Sequence, residues 1–236
     1  MPKSSQYSTR AVLFDLDGTL LDTAPDMVRS LNLLLQEEGA PTVELSVARQ
    51  YVSNGTKALV TLGFGDQQTA EQFEGRCRRY LTIYEENLCV DTVFFDGMAE
   101  TVDFLEEHDI LWGIVTNKPA FLTEPLLKAL KLDVRASVVL SGDSLPNRKP
   151  HPQPLFHAAG EINLLTTECI YVGDAERDIV AGNTAGMVTL LASYGYIESG
   201  DQPENWGANG IIQYPQEILD WLDESPSIEL DLTRAN

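Results

Sequence analysis

Basic residues are scarce in this sequence. Its 236 residues include 16 Lys and Arg against 36 Asp and Glu, so the formal net charge at pH 7 is -20. Nucleic acids and anionic membranes bind through basic patches, so this charge balance argues against both as partners. An anionic substrate would have to be held by local groups, such as a metal ion, one or two lysines, or helix N-termini.

Cysteine and histidine are also scarce, at three residues each. The cysteines (Cys77, Cys89 and Cys169) show no CxxC spacing, which is typical of reduced thiols in a cytoplasmic protein. No apolar stretch approaches the length of a membrane span, and the polar first ten residues do not resemble a signal peptide. We therefore expect a cytoplasmic location. The sequence does not indicate an oligomeric state.

Strand-like apolar runs alternate with helical patterns over most of the chain. Strands are predicted at Ala11–Phe14, Leu111–Thr116, Ser137–Leu140, Cys169–Val172, Val188–Ala192 and Gly210–Ile212. Helices are predicted at Met98–His108, Ala120–Leu130, Gln153–Ile162, Ala175–Ala185 and Pro215–Leu222. This alternation predicts an α/β fold, a Rossmann-like, doubly wound parallel sheet with helices on both faces.

Residues 23–91 interrupt the alternation, because they contain no strand pattern. Helical patterns are present at Pro25–Glu38, Ser46–Tyr51, Gly55–Leu62 and Thr69–Asn87. We expect an inserted α-helical cap domain here, over the carboxyl edge of the sheet. The core domain would then comprise residues 1–22 and 92–236, with a flexible tail at 224–236.

Two aspartates, Asp15 and Asp17, follow the first predicted strand in the motif Asp15-Leu16-Asp17-Gly18-Thr19. Ligands of open α/β sheets bind at the carboxyl ends of strands. Two aspartates at such a place can divide the work, since one can attack as a nucleophile while the other transfers protons. Taken alone, the motif is also compatible with an ordinary Asp/Gly turn.

Thr116 and Asn117 end the second predicted strand, and Lys149 lies in a later loop before Pro150. A hydroxyl and exposed backbone N–H groups at the strand end could bind a phosphate oxygen, or equally cap a helix. Pro150 stiffens the loop of Lys149, whose ammonium could neutralise an anion. The alternative for Lys149 is an ordinary solvated side chain.

Asp174 and Asp178 follow the strand Cys169–Val172 and would share a helix face if a helix begins there. Carboxylate oxygens near Asp15 would suit Mg²⁺, which takes one or two carboxylates and keeps several waters. A solvated acidic turn at a helix N-terminus is the alternative.

Together these residues resemble the four motifs of the haloacid dehalogenase superfamily of phosphohydrolases, over roughly Arg10 to Leu222. The segments Lys149-Pro150-His151-Pro152 and Gly173 to Gly186 are similar to its phosphoglycolate phosphatase branch. Tyr194-Gly195-Tyr196 and Asn205-Trp206-Gly207-Ala208 are similar to a sub-branch of bacterial phosphatases that act on N-acetylmuramic acid 6-phosphate.

The resemblance implies a Mg²⁺-dependent phosphatase of a small phosphorylated metabolite, in which Asp15 attacks phosphorus and forms an aspartyl-phosphate. Asp17 would protonate the leaving alcohol and then deprotonate the attacking water. Thr116, Asn117 and Lys149 would bind the phosphoryl group. The implied metal ligands are Asp15, the backbone carbonyl of Asp17, and Asp174, with Asp178 orienting the groups around the metal.

Three alternatives stay open. A phosphomutase of the β-phosphoglucomutase type shares all four motifs, and differs in whether the cap excludes water. A phosphonate hydrolase would need a cap lysine, and Lys57 is the only lysine between residues 23 and 91. A non-catalytic phosphate-binding regulator would not need the aspartates that are present here.

Substrate choice is expected to depend on the cap. The polar loop at 51–56 could reach the leaving group, with Arg49, Ser53, Asn54 and Gly55 as candidate contacts. Alternatively, Ser53 or Asn54 simply caps a helix. The sequence does not choose between phosphoglycolate and an aminosugar phosphate.

Overall fold

Six parallel strands form the central sheet of the computed structural model, which describes residues 8–223. In chain order they are β1 (Ala11–Phe14), β4 (Leu111–Val115), β5 (Val138–Leu140), β6 (Cys169–Gly173), β7 (Val188–Ala192) and β8 (Gly210–Ile212). Their order in the sheet is β5-β4-β1-β6-β7-β8, so β1 lies between β4 and β6. Ala11 is paired with Leu111 on one side and Cys169 on the other.

Helices follow the strands, as the alternating pattern predicts. They are α5 (Met98–Glu107), α6 (Ala120–Ala129), α7 (Gln153–Glu161) and α8 (Glu176–Ala185). The α/β prediction is thus confirmed. The predicted last helix is instead a 3-10 helix, Pro215–Trp221.

The sheet has an apolar core on each face. Because side chains alternate along a strand, Val12 and Phe14 pack on one face and Ala11 and Leu13 on the other. All four side chains are fully buried, which explains why β1 is a continuous apolar run rather than an alternating one.

Residues 23–91, called the helical segment below, contain α1 (Ala24–Glu37), α2 (Leu45–Ala48), α3 (Gly55–Phe64) and α4 (Ala70–Glu86). A 3-10 helix, Arg49–Asn54, joins α2 to α3, where a single helix over Ser46–Tyr51 was expected. Apolar side chains of this segment form a separate buried cluster that includes Leu31, Leu59 and Tyr80.

A short antiparallel pair joins the helical segment to the rest of the chain. It consists of β2 (Leu21–Asp22) and β3 (Val93–Phe94), which the sequence analysis did not predict. Strands of two residues are too short to show a periodic pattern. The tail at 224–236, expected to be flexible, lies outside the described residues. Among the residues described, no helix has both the length and the apolar character needed to cross a membrane.

Candidate active site

Asp15 lies directly after β1, at the carboxyl edge of the sheet. Its backbone N–H donates to the carbonyl of Val172 at 2.9 Å, which continues the pairing of β1 with β6. The side chain is buried, and its Oδ1 accepts a hydrogen bond from the N–H of Leu16 at 2.7 Å. The predicted nucleophile is therefore held at the centre of the sheet edge.

Gly18 provides the turn out of this strand. Its φ is +87°, and a Cβ at this position would lie 2.1 Å from Oδ2 of Asp174. Glycine is therefore needed both for the backbone conformation and for the close approach of Asp174 to the first motif.

Lys149 is buried beside Asp15, not solvated. Its Nζ lies 2.9 Å from Oδ1 of Asp15 and 2.7 Å from Oδ1 of Asp178, and it donates to the hydroxyl of Tyr171 at 2.7 Å. Tyr171 in turn donates to the carbonyl of Val115 at 2.9 Å. This ammonium therefore compensates two buried carboxylates.

Asn117 supports the loop that carries Lys149. Its amide donates from Nδ2 to the carbonyl of Lys149 at 2.9 Å and accepts from the N–H of Lys149 at 3.1 Å. The Asn117 side chain is thus engaged with the backbone of Lys149, and phosphate binding at Asn117 stays a prediction. Thr116 is buried, and its hydroxyl accepts from the N–H of Lys118 at 3.1 Å.

Three buried carboxylates, from Asp15, Asp174 and Asp178, converge at this edge. Each offers an oxygen within 4.8 Å of the others. Oδ1 of Asp174 is buried and has no hydrogen-bond partner within the described part of the chain. An unpartnered carboxylate oxygen in a cluster of hard oxygen donors fits a Mg²⁺ ion.

Charge and burial shift the pKa values of these carboxyl groups in opposite directions. Burial, followed by the negative charges of Asp178 and Asp15, raises the pKa of Asp174 to about 7. Burial also acts to raise the pKa of Asp15, but the charges of Lys149 and Arg177 outweigh it and hold this pKa below its usual value. Asp15 is thus stabilised as a carboxylate, whereas at Asp174 the positive charge of Arg177 does not offset burial and the two neighbouring negative charges.

Asp174 and Asp178 would share a helix face only if the helix included both residues, and it does not. The helix α8 begins at Glu176, so Asp174 lies in the preceding loop. Asp178 is in the first turn of α8, where its Oδ2 accepts from the N–H of Ala175 at 3.1 Å. Asp178 therefore contacts both Lys149 and the start of its own helix.

Asp17 has a different environment from Asp15. Such a difference is expected if one carboxyl group attacks as a nucleophile and the other transfers protons. Its Oδ1 accepts from the hydroxyl of Thr23 at 2.7 Å and from Nζ of Lys118 at 3.0 Å. The Asp17 side chain is 16% exposed, against 4% for Asp15.

Lys118 is a site residue that the sequence analysis missed. It directly follows Thr116 and Asn117, and this position at a strand end was the signal available. A lysine in such a loop is usually solvated. Here it is buried, and its Nζ also donates to the hydroxyl of Tyr84 at 2.7 Å.

A cavity of about 390 Å³ opens in front of Asp15 and Asp17. Thr116, Asn117 and Lys118, which follow β4, form part of its wall. The helical segment contributes several residues that include Ser53, Asn54, Gly55 and Lys57. Arg148 and Arg177 add two further cations to the wall.

Three of the four specificity candidates line this cavity, and Arg49 does not. Arg49 is paired with Asp22 at 2.8 Å, and its guanidinium lies 5.1 Å from the centre of the Tyr196 ring. Ser53 and Asn54 do not cap α3 through their side chains. Ser53 donates to Oδ2 of Asp174 at 2.6 Å, and Asn54 donates to Glu198 at 3.1 Å.

The loop at Tyr194–Tyr196 packs behind the site. Tyr196 is buried, its N–H donates to Oδ2 of Asp174 at 2.9 Å, and its hydroxyl donates to Asp22 at 2.7 Å. This loop therefore orients Asp174 and does not line the cavity in front of Asp15 and Asp17.

Three comparisons relate the chain to known proteins. The sequence profile of the haloacid dehalogenase-like hydrolase family matches residues 12–192. A phosphoglycolate phosphatase of Xanthomonas campestris pv. campestris (strain 8004) is 42% identical over 209 residues, which cover 89% of this chain and 94% of that protein. An N-acetylmuramic acid 6-phosphate phosphatase of Pseudomonas putida is 39% identical over 216 residues, covering 92% and 97%. The crystal structure of a predicted phosphoglycolate phosphatase from Haemophilus somnus 129PT has a TM-score of 0.81 at 28% identity, and the match covers 91% of this chain and 98% of that one.

Proposed function

Since the chain belongs to the haloacid dehalogenase-like hydrolase family, we propose that it is a Mg²⁺-dependent phosphatase of a small phosphomonoester that also carries a carboxylate. The observation that carries the proposal is the arrangement at the sheet edge. Asp15 is stabilised as a carboxylate by Lys149, and a second aspartate, Asp17, faces the same cavity. The relatives named above are phosphatases of two such substrates.

In the first step, a carboxylate oxygen of Asp15 attacks phosphorus and forms an aspartyl-phosphate as the ester P–O bond breaks. Asp17 gives its proton to the leaving alcohol. In the second step, Asp17 takes a proton from a water molecule, which attacks the aspartyl-phosphate and releases phosphate. Lys149 and Thr116 stabilise the charge of the transferring group.

Asp15, Asp174 and the backbone carbonyl of Asp17 would hold Mg²⁺, and Asp178 would support them. When bound, the ion supplies positive charge to the phosphoryl oxygens. Several groups have to act together, because phosphomonoester hydrolysis can require acceleration of up to ~10²¹, about 28 kcal/mol. A single hydrogen-bond donor to the transition state contributes only about 3–4 kcal/mol.

Unpaired cations support a second anionic group on the substrate. Lys57 and Arg148 line the cavity, and neither forms an ion pair within residues 8–223. In a chain with a net charge of -20, two such cations in the cavity that Asp15 lines favour an anionic ligand. A carboxylate is common to phosphoglycolate and N-acetylmuramic acid 6-phosphate.

The size of the cavity favours the larger of these two substrates. Its volume of about 390 Å³ lies within the range of pockets that enclose drug-sized ligands, roughly 300–1,000 Å³. A two-carbon acid phosphate would leave much of it filled with water.

In this proposal, residues 23–91 act as the cap domain, and residues 8–22 and 92–223 act as the core domain. The cytoplasmic location remains a prediction.

The test is phosphate release, with and without Mg²⁺, from phosphoglycolate, N-acetylmuramic acid 6-phosphate, hexose 6-phosphates and β-glucose 1-phosphate. Asp15→Asn serves as the control that should be inactive yet folded. We expect the highest kcat/KM for N-acetylmuramic acid 6-phosphate. Isomerisation of β-glucose 1-phosphate without phosphate release would establish the phosphomutase alternative instead. Full activity of Asp15→Asn would refute the mechanism.

A further inference from the structure

A continuous chain of polar contacts links the candidate acid Asp17 to the helical segment. Lys118 donates from Nζ to both carboxylate oxygens of Asp17, at 3.0 Å and 3.3 Å. The same Nζ donates to the hydroxyl of Tyr84 at 2.7 Å. Tyr84 belongs to α4, whereas Asp17 and Lys118 follow β1 and β4.

The contact between Lys118 and Tyr84 is almost completely buried. Lys118 is 7% exposed and Tyr84 is 1% exposed. The Lys118 ammonium also lies 4.5 Å from the centre of the Tyr84 ring. A buried ammonium needs a compensating charge and acceptors for its protons. Asp17 supplies the charge, and Tyr84 supplies an acceptor from the other side of the cavity.

We propose that Lys118 and Tyr84 are positioning residues for Asp17, so that protonation of the leaving alcohol depends on a side chain of the helical segment. The inference rests on the proposed function. When the ester P–O bond breaks, the carboxyl proton of Asp17 passes to the leaving oxygen, and Asp17 becomes a carboxylate. The Lys118 ammonium stabilises this carboxylate and fixes its orientation, while the Tyr84 hydroxyl fixes the ammonium.

The importance of such positioning depends on the leaving group. An aliphatic alkoxide is strongly basic and has to be protonated as it leaves, whereas p-nitrophenolate is weakly basic and leaves without a proton. Loss of acid positioning should therefore impair hydrolysis of an aliphatic ester far more than hydrolysis of p-nitrophenyl phosphate. A general loss of structure would impair both.

The experiment compares Tyr84→Phe and Lys118→Met with the wild type. For each protein, kcat/KM is measured for p-nitrophenyl phosphate and for phosphoglycolate or N-acetylmuramic acid 6-phosphate, whichever the wild type hydrolyses. This parameter covers the steps up to departure of the alcohol, so later hydrolysis of the aspartyl-phosphate does not obscure the result. Asp17→Asn gives the reference for complete loss of the acid.

Tyr80→Phe is the matched control. Tyr80 precedes Tyr84 by one turn of α4, is equally buried, and stacks on it with ring centres 6.1 Å apart. Its hydroxyl donates to the carbonyl of Met27 at 3.2 Å and forms no hydrogen bond with Lys118 within residues 8–223. Tyr80→Phe and Tyr84→Phe each remove one buried hydroxyl from α4. Of these two hydroxyls, only that of Tyr84 is hydrogen-bonded to Lys118 within the described residues.

In Tyr84→Phe and in Lys118→Met, we expect the ratio of kcat/KM for p-nitrophenyl phosphate to kcat/KM for the aliphatic ester to rise about tenfold or more. This rise is part of the rate factor of about 10²–10⁴ that a general acid contributes. In Tyr80→Phe the ratio should equal that of the wild type. Equal losses on both substrates, no loss, or the same change in Tyr80→Phe would overturn the inference. If Lys118→Met does not fold, Tyr84→Phe decides alone, since it keeps the ring. If the wild type releases phosphate from neither phosphoglycolate nor N-acetylmuramic acid 6-phosphate, the proposed function itself has failed.

Discussion

Ser53 donates a hydrogen bond of 2.6 Å to Oδ2 of Asp174, and so joins the helical segment to a candidate metal ligand. The same carboxylate oxygen accepts from the N–H of Tyr196 at 2.9 Å, while Oδ1 has no partner within the described residues. The orientation of Asp174 therefore depends on one contact from the core and one from the helical segment.

Substitution of Ser53 by alanine should weaken Mg²⁺ binding about tenfold, the lower end of the effect of residues that orient metal ligands. The effect is expected at the lower end because the N–H of Tyr196 still holds Asp174. Titration calorimetry of the wild type and Ser53→Ala with Mg²⁺ measures this directly. Ser53→Thr keeps the hydroxyl and should retain most of the affinity. Equal affinities for the wild type and Ser53→Ala would show that this contact does not orient the ligand.

Replacement of Lys149 should destabilise the protein, and Mg²⁺ should restore part of the loss. Lys149→Met leaves the carboxylates of Asp15 and Asp178 buried without their cation, at a cost of about 3–5 kcal/mol in the free energy of unfolding. A bound Mg²⁺ ion would supply compensating charge in the same cluster.

Urea unfolding of Lys149→Met with and without Mg²⁺ measures both effects. Lys128→Met removes an exposed lysine of α6 and should change the free energy of unfolding by less than about 0.5 kcal/mol. A Lys149→Met protein as stable as the wild type without Mg²⁺ would contradict the role of Lys149 in compensating the carboxylates.

Local sequence patterns were sufficient to predict the six strands of the central sheet and the acidic residues that follow two of them. Ala11–Phe14 is a fully buried run of apolar residues, recognisable without tertiary information, and Asp15 follows it directly. The same reasoning located Asp174 after β6. These predictions depend only on neighbours in the chain.

Contacts between distant residues could not be predicted in this way. Lys118 contacts Asp17, 101 residues earlier, and Tyr84, 34 residues earlier in a different helix. The position of Lys118 directly after Thr116 and Asn117 is not enough to distinguish it from a solvated lysine. The pairing of Arg49 with Asp22, 27 residues earlier, is likewise a contact that the local sequence does not show.

Glu106 and Arg135 provide a pH-dependent contribution to stability, away from the candidate site. The hydrogen bond from Arg135 outweighs burial and, with one from Trp112, holds the pKa of Glu106 below its usual value. A carboxyl group whose pKa is lower in the folded state stabilises the protein above its unfolded pKa. This contribution is lost as the pH falls through the folded pKa.

Arg135→Met should therefore lower the free energy of unfolding at pH 7, and the difference from the wild type should shrink as the pH is lowered below about 4.3. Because Glu106 is 39% exposed, solvent screening limits the difference at pH 7 to about 0.5–1 kcal/mol. Arg78→Met removes an exposed pair with Glu74 at 3.8 Å and should have no measurable effect. A difference for Arg135→Met that is constant from pH 7 to pH 3 would exclude Glu106 as its source.

Asp26 ties together the two ends of the helical segment. Its side chain is fully buried, and its Oδ2 accepts from the N–H groups of Val90 and Thr92, at 2.9 Å and 3.0 Å, and from the Thr92 hydroxyl at 2.7 Å. Its Oδ1 accepts from the N–H of Asp91 at 2.9 Å and from Arg29 at 2.6 Å. Both carboxylate oxygens are therefore needed as acceptors.

Asp26→Asn should lower the free energy of unfolding by about 3–5 kcal/mol, because an amide replaces one acceptor with a donor that faces other donors, and Arg29 loses a buried partner. Asp91→Asn is the matched control, since Asp91 also pairs with Arg29 but its side chain is 60% exposed. Loss of the Asp91–Arg29 ion pair should lower the free energy of unfolding by less than about 1 kcal/mol. Urea unfolding gives both values, and amide hydrogen exchange at residues 90–92 should accelerate only in Asp26→Asn. Similar losses in the two variants would mean that the contacts of Arg29, rather than the backbone contacts of Asp26, stabilise this junction.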